Sequence, residues 1–152
     1  MKPVSPSEIN RFVELTTLAC YNDYNKQEYR KLGRRILKWI VDQLGLQTGE
    51  FDIHWNPGGV ACSGDHRLNT DKFHLCCDDN LGRGWFYWRT TKGRKDYTGG
   101  QNQIVRWELL LKQGLTPLVE QLRICQSSQW KDPVSGDVIL NINQAIRMAV
   151  GK

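Results

Sequence analysis

A chain of 152 residues, 39% hydrophobic and 24% charged, carries enough apolar surface to bury a core, which argues against disorder and predicts one globular domain over residues 1–152. Its net charge of +5 conceals a segregation: Lys26, Arg30, Lys31, Arg34, Arg35 and Lys38 crowd one window, Arg83, Arg89, Lys92, Arg94 and Lys95 a second, and within these windows only Glu28 opposes them. No segment approaches the roughly 20 apolar residues of a membrane span, the start Met-Lys-Pro-Val-Ser-Pro-Ser has no apolar run of a targeting signal, and five irregularly spaced cysteines then read as reduced thiols in a cytoplasmic protein.

The first element opens at Ser5-Pro-Ser-Glu8, where Ser5 is an N-cap, Pro6 the first helical residue and Glu8 the partner that closes a capping box. Ile9, Phe12, Val13, Thr16 and Ala19 follow at helical spacing. A second helix starts near Asn25, with Tyr29, Leu32, Ile36, Leu37, Ile40, Val41 and Leu44 as its apolar stripe and Gly45-Leu46 as a glycine C-cap. Gly33 in its middle costs about 1 kcal/mol against alanine and marks a close crossing of another element. On its polar side Lys26, Arg30, Arg34 and Lys38 stand four apart, where like charges repel by a few tenths of a kcal/mol per pair, so the row is not there to stabilise the helix.

The central region reads as a meander of about four short strands. Phe51, Ile53 and Trp55 alternate with Asp52 and His54, and Val60 to Gly64 is a second strand after the turn Asn56-Pro-Gly-Gly59. In Lys72–Asp78, Phe73, Leu75 and Cys77 share one face and His74 and Cys76 the other. In Trp85–Thr90, Phe86 and Trp88 oppose Trp85, Tyr87 and Arg89. The turn formers between Asp78 and Gly84 make the two a hairpin. From Thr90 to Gln103 runs a loop of glycines and cations. Ile104 to Leu111 is a short buried helix capped by Asn102, with a strand as the alternative. Gly114 ends it, Thr116-Pro117 starts a helix with Leu118, Leu122 and Cys125 inward, and a terminal helix covers the region of Ile139 to Ala149. The predicted fold is α+β: two N-terminal helices, a central antiparallel sheet, and two or three C-terminal helices.

Four chemistries suggest themselves. His54, Cys62, His66, His74, Cys76 and Cys77 are zinc-ligand types, but no Cys-x-x-Cys occurs, and Cys76 and Cys77 point to opposite faces of a strand. A thiol site from Cys62 or Cys76 with a histidine lacks any glycine-framed nucleophile motif. The loop Lys92-Gly-Arg-Lys95 followed by Tyr97-Thr-Gly-Gly-Gln-Asn102 has the cations and exposed N–H groups of an anion site, without the order of a P-loop. Finally, Arg83, Arg89, Lys92, Arg94 and Lys95 lie beside Trp85 and Tyr87, and cations that track phosphates next to rings that stack bases suit a single nucleic-acid strand. The expectation is a non-enzymatic binding module without cofactor or metal. Its contact residues are Arg83, Trp85, Tyr87, Arg89, Lys92, Arg94, Lys95 and Tyr97, with Arg30, Arg34 and Lys38 as further cations. Nucleic acid or another polyanion is the partner. A protein–protein adaptor using the same surface is the alternative, and a thiol or metal enzyme around His74 and Cys76 the third reading.

Overall fold

The structure, a computed structural model, describes residues 1–18, 22–57, 64–78, 85–96 and 102–127. Ser5 caps the first helix, α1 (Pro6–Leu18), as its spacing predicts: the Glu8 amide donates to Ser5 Oγ at 3.2 Å and the Ser5 amide to Glu8 Oε1 at 3.0 Å. The second helix, α2 (Asp23–Gln43), starts earlier than expected. Asn22 rather than Asn25 is its cap, and Asn22 Oδ1 accepts the Asn25 amide at 3.1 Å. Two asparagines three residues apart are equally good caps by type, and the extended backbone at Asn22 decides between them. At the other end Gly45, at φ +69°, donates to Asp42 O while the Leu46 amide donates to Val41 O, a Schellman closure.

A single five-stranded antiparallel meander follows, one strand more than the sequence suggests: β1 (Phe51–Asn56), β2 (Asp65–Thr70), β3 (Phe73–Asp78), β4 (Trp85–Thr90) and β5 (Gln103–Arg106), in that spatial order. The helices α3 (Trp107–Gln113) and α4 (Thr116–Ser127) complete the described fold. Two boundaries differ from expectation. The second strand is Asp65–Thr70, whereas Val60 to Ser63 lie outside the described residues. Its hairpin to β3 turns on Asp71-Lys72 without a glycine. Thr70 Oγ1 instead accepts the amides of Lys72 and Phe73 at 3.1 and 3.0 Å, so the turn carries none of the residues by which hairpins are usually recognised. The apolar run after Asn102 is both alternatives in succession, since its period changes at Arg106: Gln103 and Val105 are buried and Ile104 and Arg106 exposed, and a helix follows. The expected terminal helix near residues 139–149 lies outside the described residues.

The register divides the sheet cleanly. Pairings of Ile53 with Leu68, Leu68 with Leu75, and Leu75 with Trp88 put these on one face with Phe73, Cys77, Phe86 and Val105. All four described helices send apolar side chains to that face: Phe12 and Leu15 from α1, Tyr29, Ile36 and Ile40 from α2, Leu110 from α3, and Leu118 and Leu122 from α4. Each such side chain, taken fully from water, contributes about 1.5–3 kcal/mol. The opposite face carries Asp52, His54, Arg67, Asn69, His74, Cys76, Tyr87, Arg89, Ile104 and Arg106, and is here termed the polar face.

Candidate functional site

Cross-strand neighbours build the polar face. One row runs Asp52, Asn69, His74, Arg89 across β1 to β4, and the next runs His54, Arg67, Cys76, Tyr87, Ile104 across all five strands. Side chains directly opposite on one face come within contact distance, and in the first row they bond in sequence. Asn69 Nδ2 donates to Asp52 Oδ1 at 2.9 Å, which leaves Asn69 Oδ1 as acceptor and makes His74 Nδ1 the donor to it at 2.7 Å. Asp52 thus orients Asn69, and Asn69 fixes the His74 tautomer. Burial pushes His74 down to about 4, Arg67 and Arg89 push the same way, and Asp52 opposes them. His74 is therefore neutral at pH 7.

The second row supplies breadth. On the face as a whole, Cys76 and His74 are buried at the centre, Arg67, Tyr87 and Arg89 are half-buried around them, and His54, Ile104 and Arg106 are exposed toward the edges. The Tyr87 ring centroid lies 6.2 Å from that of His74, tilted by 59°. Arg67 pairs with Asp65, its Nε 3.3 Å from Oδ1 and its Nη2 donating to Oδ2 at 3.4 Å, a long and imperfect contact for a charged pair. Arg89 Nε donates to Asn102 Oδ1 at 2.8 Å. Asn102 is accordingly a strand-edge partner of Arg89 instead of a helix cap, and β5 stands between the glycine loop and the start of α3.

The expected contact residues are not all on one surface. Tyr87 and Arg89 occupy the polar face. Trp85 lies on β4 in register with Asp78 and Arg106, while Arg83 and Tyr97 lie outside the described residues. Lys92 and Lys95 are exposed, the latter at φ +61°. Arg94 is engaged structurally: it donates to Asp71 Oδ1 at 3.2 Å and to the Gly49 carbonyl at 2.8 Å, tying its loop to the start of β1 and the β2–β3 turn. Arg30, Arg34 and Lys38 are exposed on α2, which packs on the other face of the sheet, and among the described residues none of the three makes an ion pair. Their neighbour Arg35 does, with Glu8.

The three histidines are divided between faces. His66 sits on the core face, with rings of Trp55, Tyr29 and Phe12 at 4.5, 5.0 and 6.1 Å, and its Nε2 donates to the Arg30 carbonyl at 3.2 Å. His54 and His74 are on the polar face. Among the described residues no three of His, Cys, Asp and Glu are grouped as metal ligands, and Cys62 lies outside them. Cys77 faces the core, its Sγ 3.7 Å from Tyr29 Oη.

Asp52, Arg67, Asn69 and Arg106 are site residues that sequence reasoning passed over. Three of these lie on β1 or β2, and the signal for β2 was present: Asp65-His-Arg-Leu-Asn-Thr70 alternates with period two, ending in a turn without glycine. Compared with protein-family models, curated proteins and solved structures, the chain matches none.

Proposed function

We propose that this chain is a non-enzymatic binding module that contacts nucleic acid through the polar face of its sheet. The observation that carries this is the side-by-side placement of Arg67, Tyr87 and Arg89, half-buried on the face opposite the helical layer. Arginines there reach phosphates, and Tyr87 offers a ring edge or face to a base, the combination used where single strands are bound without a groove code. Arg106, exposed on β5, extends the positive surface. Phosphate contacts release counterions, so affinity for a labelled single-stranded oligonucleotide falls steeply between about 50 and 200 mM salt. Fluorescence anisotropy at those two concentrations tests it, and absence of binding at the lower one removes the proposal.

A protein partner is the second reading, favoured by Ile104, which is 40% exposed and in register with Tyr87. Aromatic and arginine side chains also anchor protein interfaces. Co-purification separates the two: a protein retained in high salt supports an adaptor, and absorbance at 260 nm supports nucleic acid.

A further inference from the structure

Around His74 the polar face combines features that a merely solvated sheet surface does not need. Asn69, itself held by Asp52, takes one short bond from the ring, so Nδ1 carries the proton and Nε2 is the basic nitrogen. Two guanidinium groups on neighbouring strands bear on that ring: Arg89 directly opposite on β4 and Arg67 diagonally on β2. One of them, Arg67, is held to Asp65 only by long contacts, Nε to Oδ1 at 3.3 Å and Nη2 to Oδ2 at 3.4 Å, against about 2.7–2.9 Å for a well-formed charge-assisted bond, so a second anion can compete for it. Both arginines are half-buried, so their side chains can be reached from solvent while the imidazole stays beneath them.

We propose that Arg67 and Arg89 hold a phosphate group above His74, and that binding there is coupled to proton uptake by the imidazole. It rests on the reading of this face as an anion-contact surface, and it names the group that is gripped. The charged and titratable groups facing the ring are Asp52 from β1, Arg67 from β2, Cys76 from its own strand, and Tyr87 and Arg89 from β4. In the free protein the two arginines oppose a third positive charge. A phosphate oxygen between them cancels that opposition and adds a negative charge above the ring, so the bound state takes up a proton that the free state refuses. Asp52 and Asn69 favour the same outcome: Asn69 Oδ1 accepts from the ring, and Asp52, which holds Asn69, adds a negative charge behind it. By linkage, phosphate affinity must rise as the pH falls.

The experiment follows the histidine ring nitrogens by NMR in the full chain, with His74 assigned through His74→Gln. Titrations from pH 7.5 to 4 are run in sodium chloride, in inorganic phosphate, and with a short thymidine oligonucleotide, at matched ionic strength. The expected result is a His74 midpoint raised by about one pH unit or more in at least one phosphate arm relative to chloride, with His66 unmoved, which corresponds to about tenfold tighter binding to the protonated form. Inorganic phosphate alone giving the shift identifies a free phosphate-bearing ligand, and the oligonucleotide alone identifies a backbone diester. Arg89→Gln should abolish the shift, with unchanged His66 signals reporting an intact fold. A His74 midpoint equal in chloride and in both phosphate arms overturns the inference. If anisotropy shows the oligonucleotide bound while His74 does not move, the nucleic-acid reading stands and this one falls. If phosphate moves His74 but no oligonucleotide binds, the reverse holds.

Discussion

Gly33 and His66 meet so closely that no side chain fits between them. A Cβ placed on Gly33 would lie 2.3 Å from both Cε1 and Nε2 of the ring. In an unobstructed helix Gly33→Ala would gain about 1 kcal/mol. Here the ring is hemmed in by Trp55, Tyr29 and Phe12, so overpacking, typically about 1–3 kcal/mol, outweighs the gain. Urea denaturation should show Gly33→Ala less stable than wild type by about 1–2 kcal/mol. In a His66→Ala background the same change should become neutral or stabilising, and equal effects in both backgrounds would show that the ring is not the obstacle. The buried ring also titrates abnormally. Burial lowers His66 to about 4, with its bond to the Arg30 carbonyl only partly opposing. Between about 6.5 and 4 the unfolded chain binds a proton that the folded chain does not, so stability is full above that window and declines as pH falls through it. The slope approaches about 1.4 kcal/mol per pH unit per histidine. His74 adds the same sign. Urea midpoints at pH 7 and pH 5 should therefore differ, and His66→Gln should remove about half of the difference. A wild-type midpoint constant over this range contradicts the assignment.

Among the elements, α1 and α2 share an apolar core contact and are also joined at their surface by a few charged contacts. Glu8 closes the capping box of α1 and receives Arg35 from α2 at 2.6 and 3.1 Å, while Arg11 reaches Glu28 at 2.8 and 2.9 Å. Arg35, and after it the Ser5 amide, hold the Glu8 carboxyl down to about 2. That contribution is present above about 4.5 and is lost as pH falls toward 2. Surface pairs are worth little individually, about 0.2–1 kcal/mol, whereas a helix cap adds about 0.5–2. Glu8→Ala should thus cost about 1–2 kcal/mol in thermal unfolding at pH 7, and Arg35→Ala less, because the cap survives it. An Arg35→Ala loss exceeding that of Glu8→Ala would place the energy in the ion pair instead. The same geometry explains why Arg35 departs from its basic neighbours: it is spent on holding two helices together.

Across the whole molecule, Arg89 of the second basic window lies on the opposite side of the sheet from the basic row of α2. Arg30, Arg34 and Lys38 belong to the helical layer, and Arg89 with Arg67 to the polar face. This separation makes the proposed function testable by location. Arg89→Ala and Arg67→Ala should each weaken oligonucleotide binding several-fold and lower the salt-dependence slope by about 1, as expected for loss of one phosphate contact. Replacing Arg30, Arg34 and Lys38 together by glutamine should leave the slope unchanged. The opposite pattern would move the contact surface to α2.

Local chemistry alone determined a good deal. The Ser5 and Glu8 box, the apolar stripe of α2, the Gly45 closure, the close approach at Gly33 and the alternation of Phe73–Cys77 and Phe86–Trp88 are short-range patterns, and each is visible within one or two turns or one strand. What they could not convey is which separate segments become neighbours. Arg67, Asn69, His74 and Arg89 form one cluster only because antiparallel register aligns residues from three strands, and Asp52 joins from a fourth. The fate of charges was equally hidden: Arg94 is drawn to Asp71 and Gly49 across 45 residues of chain, whereas Arg30 meets no acid among the described residues. Histidine shows the limit most plainly. His66 and His74 are alike by type and lie on adjacent strands, but their register positions differ by three residues, an odd number. Because strand side chains alternate, that odd offset sends one ring into the core and the other to the surface where the site is proposed.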